Sequence, residues 1–378
     1  MKMKKHLVVS AVNLIEGGTL TVLRECLQVA QAQLGQDWRI SAIVHRAELV
    51  GVPGVDYIER PEIKRSWLGR LWFEYVECRK LSRQLKADFW LALHDMTPVV
   101  GSPRQAVYCH NAMCFYRMSL REGWQEPKLL LFSYLYAHLY RLNIRANTAV
   151  IVQQDWIRKE FIRRFGCQNV IVSHPVASDE VNTRAVRRVG NRFLYPSLPR
   201  VFKNFETLLA AWEELCTSPA WDAELLVTID GSENRYAKRL ISRYGGLRNV
   251  RFTGRLSSSD MQQAYQHADC LVFPSRLETW GLPLSEGKQA GLTILAADLP
   301  YAHEAIGQYD GAAFFPPNDA SQLAMLMRQF AQGSLNFAPA VAASIEAPFA
   351  GSWAALLTQL IDTQAPELAT AKTEAFKQ

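Results

Sequence analysis

Short apolar runs alternate with helix-length amphipathic segments along almost the whole of this sequence. The strand-like runs are Leu7–Val12, Ile40–Val44, Phe89–Leu93, Gln105–Tyr108 and Thr148–Val152 in the first half, then Phe193–Tyr195, Glu224–Ile229, Val250–Phe252, Cys270–Phe273 and Thr293–Ala297. Such alternation predicts parallel sheets flanked by helices, an α/β architecture. With 378 residues, 49% of them apolar, the chain can build two domains with separate cores. Asn169–Val176 reads as the last strand of the first domain, and the polar, Arg-rich stretch up to Asn191 as a linker. This gives an N-terminal domain over residues 1–175 and a C-terminal domain over residues 176–349. Open parallel sheets bind ligands beyond the carboxyl ends of their strands, so two Rossmann-like domains facing one another enclose a cleft where chemistry is expected.

Composition narrows the partners. The formal charge of +6 is a modest basic excess that suits anionic substrates or an anionic membrane face, and no nucleic-acid-binding motif accompanies it. Seven scattered cysteines (Cys26, Cys78, Cys109, Cys114, Cys167, Cys216 and Cys270), odd in number and without a CxxC pair, read as reduced thiols of a cytoplasmic protein. The N-terminal run is shaped like a signal peptide, but Asn13 and Glu16 interrupt it and no small-residue cleavage site follows. It is read as a first strand that stays in the mature protein. No uninterrupted apolar run reaches about 18 residues, so no transmembrane helix is expected.

The densest local signal is Pro274–Ser275–Arg276–Leu277–Glu278–Thr279–Trp280–Gly281–Leu282–Pro283–Leu284–Ser285–Glu286, in which two carboxylates bracket a tight turn entering a helix. Pro283 suits a first helical position, because the N–H it lacks would be unpaired there anyway, and Gly291 suits the helix end. Amides from Thr279 to Leu282 are thereby aimed at an anion with the helix dipole behind them. Glu286, expected in the first turn, accepts hydrogen bonds from hydroxyls. A phosphate and a polyol are both served, as a sugar nucleotide requires.

This E, seven residues, E spacing, preceded by Pro-Ser and containing Gly-Leu-Pro, resembles the signature of retaining glycosyltransferase family 4 (group 1). That family has the GT-B fold, two Rossmann-like domains with parallel sheets facing a central cleft. The resemblance implies that Glu286 holds the nucleotide ribose and Glu278 contacts the donor sugar. Thr279 and Trp280 depart from the family's usual residues there, which implies an altered donor-sugar pocket. It also implies a terminal helix crossing back onto the N-terminal domain, matched by Phe349–Trp353 opening an apolar helix over about residues 350–364, before a polar tail at 365–378.

Other candidates sit at strand ends. Gly17 and Gly18 let the backbone approach a diphosphate or an acceptor, or simply make a tight strand-to-helix turn. Lys203, before the helix Phe205–Leu215, would supply fixed positive charge to a departing diphosphate. The Lys203–Asn204 pair resembles the family's phosphate-binding Lys; the companion Arg position is Ser197 or Leu198 here, which leaves Arg200 as the candidate. His110 resembles the family's active-site His, able to contact the donor sugar or position the acceptor hydroxyl. His94–Asp95 ends another strand, with either an acceptor-side or a turn role. Gly231 and Leu256 lie in segments that resemble those beside the nucleotide, and they complete the donor set.

Glu59–Asp88 mixes Lys and Arg with Trp67, Leu68, Leu71, Trp72 and Phe73, and Leu129–Leu142 is a dense aromatic-apolar helix candidate. Either core packing or peripheral contact with the inner face of the membrane accounts for them. The reading is a cytoplasmic, retaining hexosyltransferase that moves a sugar from a nucleoside diphosphate to a glycan or lipid-linked acceptor. Analogy points to bacterial surface polysaccharide or lipopolysaccharide O-antigen synthesis. The sequence has no DxD motif, so neither a metal nor a cofactor beyond the nucleotide sugar is expected. A sugar-nucleotide epimerase or phosphorylase of the same fold, or a noncatalytic nucleotide-sugar-binding scaffold, stands as the alternative. A dehydrogenase fits poorly, because Gly17–Gly18 does not continue into a GxGxxG fingerprint.

Overall fold

A computed structural model describes residues 4–175, 190–341 and 344–362. Two sheets organise it. The first contains β1 (Lys5–Ala11), β2 (Trp38–Val44), β3 (Asp56–Glu59), β4 (Phe89–Ala92), β5 (Arg104–Cys109), β6 (Ala149–Val152) and β7 (Val170–Ser173). The second contains β8 (Arg192–Tyr195), β9 (Glu224–Val227), β10 (Val250–Phe252), β11 (Cys270–Phe273), β12 (Thr293–Ala297) and β13 (Ala312–Phe315). A last strand, β14 (Phe349–Ala350), returns to the edge of the first sheet, pairing Phe349 with Val172 and Ala350 with Ser173. The orders are β14-β7-β6-β5-β4-β1-β2-β3 and β10-β9-β8-β11-β12-β13, with every pairing parallel. This is the α/β, two-sheet parallel architecture read from the alternation of runs.

Three strands escape the sequence pattern. Asp56–Glu59 is a half-exposed edge strand with a carboxylate at each end, so no apolar run announces it. Ala312–Phe315 is short and half alanine. Phe349–Ala350, expected to open a helix, is instead held by β7, and the helix begins at Trp353 and runs to Asp362.

Strands covered on both faces carry apolar residues throughout, as parallel sheets require. β4, β6, β11 and β12 are buried along their whole lengths. The helix Trp353–Asp362 lays Leu356, Leu357 and Leu360 against Leu23, Cys26 and Leu27 of the helix Gly17–Leu34, on the first sheet. Burying each of these leucines stabilises the contact by about 1.5–3 kcal/mol. All seven cysteines are unpaired thiols, and burial pushes Cys26 and Cys109 well up from the usual thiol range. Among the described residues no helix is long and apolar enough to cross a membrane.

In each sheet the strand order reverses once, between β1 and β4 in the first and between β8 and β11 in the second. Loops leaving neighbouring strands at such a point run in opposite directions and part, which opens a crevice at the carboxyl ends. Polar bridges hold the two crevices against one another. Glu304 accepts from the Asp155 amide at 2.9 Å and meets His174 Nε2 at 3.1 Å. Arg276 donates to Glu122 at 2.9 Å, and Glu126 accepts from Arg200 at 3.0 Å and from the Val201 amide at 2.8 Å.

Candidate active site between the two sheets

The loops after β8 and β11 are sewn together by their backbones. The Arg276 amide donates to the Phe202 carbonyl at 2.7 Å, and the Asn204 side-chain amide donates to the Pro274 carbonyl at 2.9 Å and the Pro317 carbonyl at 2.6 Å. Asn204 itself is fully buried in a left-handed conformation (φ 58°), which Asn tolerates better than most residues. Ser275, also fully buried, donates to Leu277 at 3.2 Å and closes the turn. These ties bring Lys203 and Glu278 together: Lys203 Nζ donates to Glu278 Oε1 at 2.5 Å, with both side chains largely buried.

Beyond Glu278 the chain turns at Gly281 (φ 84°, ψ 61°), a conformation natural to glycine, and enters the helix Leu282–Gln289. Pro283 falls at the second helical position, and Glu286 lies one residue deeper than expected, as the fifth residue, just past the first turn. There its Oε2 accepts from Tyr265 OH at 2.5 Å. Trp280 is buried: its indole N–H donates to Ser285 at 2.9 Å and its ring lies 4.4 Å from that of His174. Lys288, which the motif did not flag, turns inward and donates to the carbonyls of Ala305 at 2.5 Å and Ile306 at 3.3 Å, fixing this helix to the next.

A cleft of about 1020 Å³ separates this turn from the first sheet. Of the residues singled out from the sequence, Gly17, Gly18, His110, Glu278, Thr279, Trp280, Gly281, Leu282 and Glu286 line it. The approach at Gly18 is close enough that a Cβ there would stand 2.7 Å from Leu282. Lys203 stands behind Glu278 rather than on the lining. Arg200 is engaged by Glu126 at the rim. Gly231 packs towards Ile241, with its amide donating to Glu233 at 3.0 Å. Gly231, Leu256 and Arg200 are not on the cleft wall. Residues that the sequence did not single out complete it, among them Thr21, Glu25, Gln153, His174 and Trp353. Thr21, Glu25 and Trp353 come from helices, where no local pattern marks them; Gln153 and His174 each follow a strand, the one signal available.

The first-sheet side holds a second cavity of about 370 Å³, which shares His110 and Thr19 with the cleft. The His110 ring stacks on Tyr108, and its Nε2 is buried without a hydrogen-bond partner. Burial pulls its pKa down, against the opposing pull of Asp95, so the ring is neutral near pH 7. Asp95 anchors this wall. Its carboxylate accepts from the amides of His110 at 2.5 Å and Asn111 at 3.0 Å, and from the hydroxyls of Tyr136 at 2.9 Å and Tyr140 at 3.0 Å. Behind it Arg70 donates to the buried Glu74 at 2.7 Å and to the His94 carbonyl at 3.2 Å. Burial raises Glu74 to about 7 despite the Arg70 guanidinium. Among the described residues no three His, Cys, Asp or Glu side chains stand together as a metal site.

Residues 184–338 match the family described as glycosyl transferases group 1. This stretch, which carries the whole second sheet, is of the group 1 glycosyl transferase family. Its relatives include the O-antigen chain mannosyltransferase C of Escherichia coli, 30% identical over 143 residues that make up 37% of this chain and 36% of that one. A second, the serotype-specific mannosyltransferase WbdA of Escherichia coli, is 29% identical over 130 residues, 34% of this chain and 16% of that one. The shared stretch is therefore well under half the length of either curated relative. Solved GT-B structures share the fold over most of the chain. The lipopolysaccharide outer core galactosyltransferase WaaB superposes with a TM-score of 0.61 at 14% identity, covering 88% of this chain and 91% of that one. The Anabaena protein Alr3699/HepE, solved in complex with UDP-glucose, superposes with a TM-score of 0.54 at 14% identity over 95% and 96% of the two chains. Lys203, Glu278 and Glu286 all fall inside the matched stretch.

Proposed function

We propose that the protein is a retaining glycosyltransferase that moves a hexose from a nucleoside diphosphate to a hydroxyl of a glycan or lipid-linked acceptor, in surface polysaccharide or lipopolysaccharide synthesis. The observation that carries this reading is the Lys203–Glu278 pair at the β8/β11 reversal, with Glu278 on the cleft wall beside a helix N-terminus and Lys203 directly behind it. A diphosphate set against the amides of Thr279–Leu282 meets the helix dipole and Lys203, which leaves Glu278 free to accept from hydroxyls of the transferred sugar. Glu286, oriented by Tyr265, accepts from the ribose. His110, neutral and with Nε2 unpaired, faces the sugar from the opposite wall. As the anomeric carbon–phosphate oxygen bond breaks, the acceptor oxygen bonds to the same face of that carbon, and the departing phosphate takes the acceptor proton. Positive charge fixed at Lys203 stabilises the diphosphate as negative charge develops on it. The O-antigen mannosyltransferase relative makes a nucleoside-diphosphate mannose the first donor to test.

The test is calorimetry of GDP, UDP, dTDP and ADP against wild type and Glu286→Ala, with and without EDTA, followed by product analysis. Selective binding that survives EDTA and weakens in the variant is the expected outcome, with a glycoside of retained anomeric configuration as product. A donor converted without an acceptor, or a released sugar phosphate, would replace the reading with an epimerase or phosphorylase. No nucleotide binding at all would leave a scaffold.

A further inference from the structure

Large exposed apolar side chains concentrate on one face of the first domain. In the helix Trp67–Trp72, Arg70 turns inward to Glu74 while Leu68 is 77% exposed and Trp72 63% exposed, and Val76, a turn further on, continues the stripe. The helix Leu120–Gln125 adds Leu120 at 87% and Trp124 at 84%, four residues apart on its outer side. The helix Pro127–Arg141 is apolar all round. Tyr136 and Tyr140 point into the core, whereas Leu130, Leu131, Tyr134 and Leu135 point to solvent. An edge contact between Trp67 and Phe132, with ring centroids 6.2 Å apart, joins the two ends of this face. A helix apolar on both sides is normally covered on both sides, and a contiguous patch of this kind marks an interaction surface.

The charges around the patch have one sign. Residues 61–86 and 117–145 carry five carboxylates, and each has an arginine within ion-pair reach: Glu62 and Glu77 at Arg60, Glu74 at Arg70, Glu122 at Arg276 and Glu126 at Arg200. Among the described residues the exposed cations of the same segments are Lys64, Arg79, Lys80, Arg83, Lys86, Arg117, Lys128, Arg141 and Arg145. A second copy of the chain would set this cationic rim against itself, because a two-fold interface pairs each patch with its own equivalent. A surface apolar in depth and anionic at its face complements it.

We propose that this face, built by residues 67–76, 120–124 and 130–135, docks on an anionic lipid bilayer, with Trp72, Trp124, Leu131 and Tyr134 entering the headgroup and acyl boundary and the lysines and arginines meeting lipid phosphates. The docking face is continuous with the 370 Å³ cavity, whose lining includes Lys64, Trp67, Phe132 and Tyr136 from the same segments and reaches His110. A lipid-anchored molecule therefore enters the cavity from the bilayer without crossing bulk solvent.

Full-length protein is sedimented with phosphatidylcholine vesicles with and without phosphatidylglycerol, at low and high salt. Wild type should pellet with the phosphatidylglycerol vesicles and be partly released by salt, because the lipid attraction is screened. The double variants Leu68→Ser/Trp72→Ser and Trp124→Ser/Leu131→Ser should each partition roughly tenfold less. Met325→Ser, which removes an exposed apolar side chain on the second domain, should leave partitioning unchanged. Circular dichroism confirms that each variant is folded, and the readout is independent of nucleotide binding and of transfer activity. Failure to pellet with phosphatidylglycerol vesicles overturns the proposal, as does pelleting that neither double variant reduces. So does a wild-type dimer, seen by sedimentation velocity, that the same variants dissociate while vesicle binding is absent.

Discussion

The two walls of the cleft are built in different ways. On the second-domain side, Lys203 and Glu278 come from two segments that leave adjacent strands and are tied by the Arg276 amide and the Asn204 side chain, and Glu286 follows in the helix that the second segment enters, so their placement follows from their spacing in sequence. On the first-domain side, the 370 Å³ cavity that meets the cleft at Thr19 and His110 draws its lining from distant segments near residues 13–19, 63–70, 94–96, 110 and 132–136, gathered by the side-chain carboxylate of Asp95 and by the buried Arg70–Glu74 pair. A wall set by strand ends can hold an invariant part of a substrate rigidly. A wall gathered by side chains from many loops can change shape one residue at a time. Under the proposed function, that contrast assigns the donor to the second-domain wall and the acceptor to the first-domain wall.

Each wall can be broken separately. The largest expected effect is on the donor wall: Lys203→Ala should lower turnover by about 10²–10³, the worth of one preorganised donor at a developing oxyanion, while Glu278 loses its cation. Turnover close to wild type would remove Lys203 from the chemistry. On the acceptor wall the pair to test is Arg70–Glu74. With Glu74 near 7 in the folded protein and near 4.5 unfolded, the folded chain keeps its proton longer as pH rises. Its stability contribution is thus present below pH 4.5 and is lost as pH climbs through 7, by about 3 kcal/mol for a shift of this size. Urea unfolding across that window should show the slope in wild type and its loss in Glu74→Gln; an unchanged slope would place the titration elsewhere. Glu286→Ala should weaken nucleoside diphosphate binding by about 1.5–3 kcal/mol, measured by calorimetry. Smallest, His110→Ala should reduce kcat by about tenfold, the worth of a hydrogen bond between neutral partners, with nucleotide affinity kept. A loss as deep as that of Lys203→Ala would mean that the acceptor wall takes part in proton transfer.

The same contrast explains what could be read from the sequence. The parallel two-sheet fold was legible because buried strands such as Cys270–Phe273 and Thr293–Ala297 are apolar throughout, and the turn at Gly281 was legible because glycine, proline and two carboxylates stand within one short stretch. Glu286 was misplaced by one residue, which takes it just past the first turn, since the helix begins at Leu282 and the motif alone does not fix its first residue. Arg200 had the right charge at a strand end, yet Glu126, a residue of the other domain 74 positions away, takes it. The cleft positions of His174, Gln153 and Trp353 depend on how the domains meet, and the strand ends before His174 and Gln153 do not by themselves mark them as lining residues. The basic and aromatic stretches at Glu59–Asp88 and Leu129–Leu142 left packing and membrane contact equally open, because only the fold separates the inward Tyr136 and Tyr140 from the outward Leu131 and Tyr134.

The return of β14 and the helix Trp353–Asp362 to the first sheet has a bearing on how the protein is made. A ribosome releases β1 to β7 early, yet that sheet lacks its edge strand, and the helix Gly17–Leu34 lacks its cover, until residues 349–362 emerge. Throughout synthesis of the second domain β7 stands as an unpaired edge open to other chains. The first domain is begun first and finished last, and a transcript cut short after residue 341 would yield a second domain with its sheet complete beside a first domain that is not.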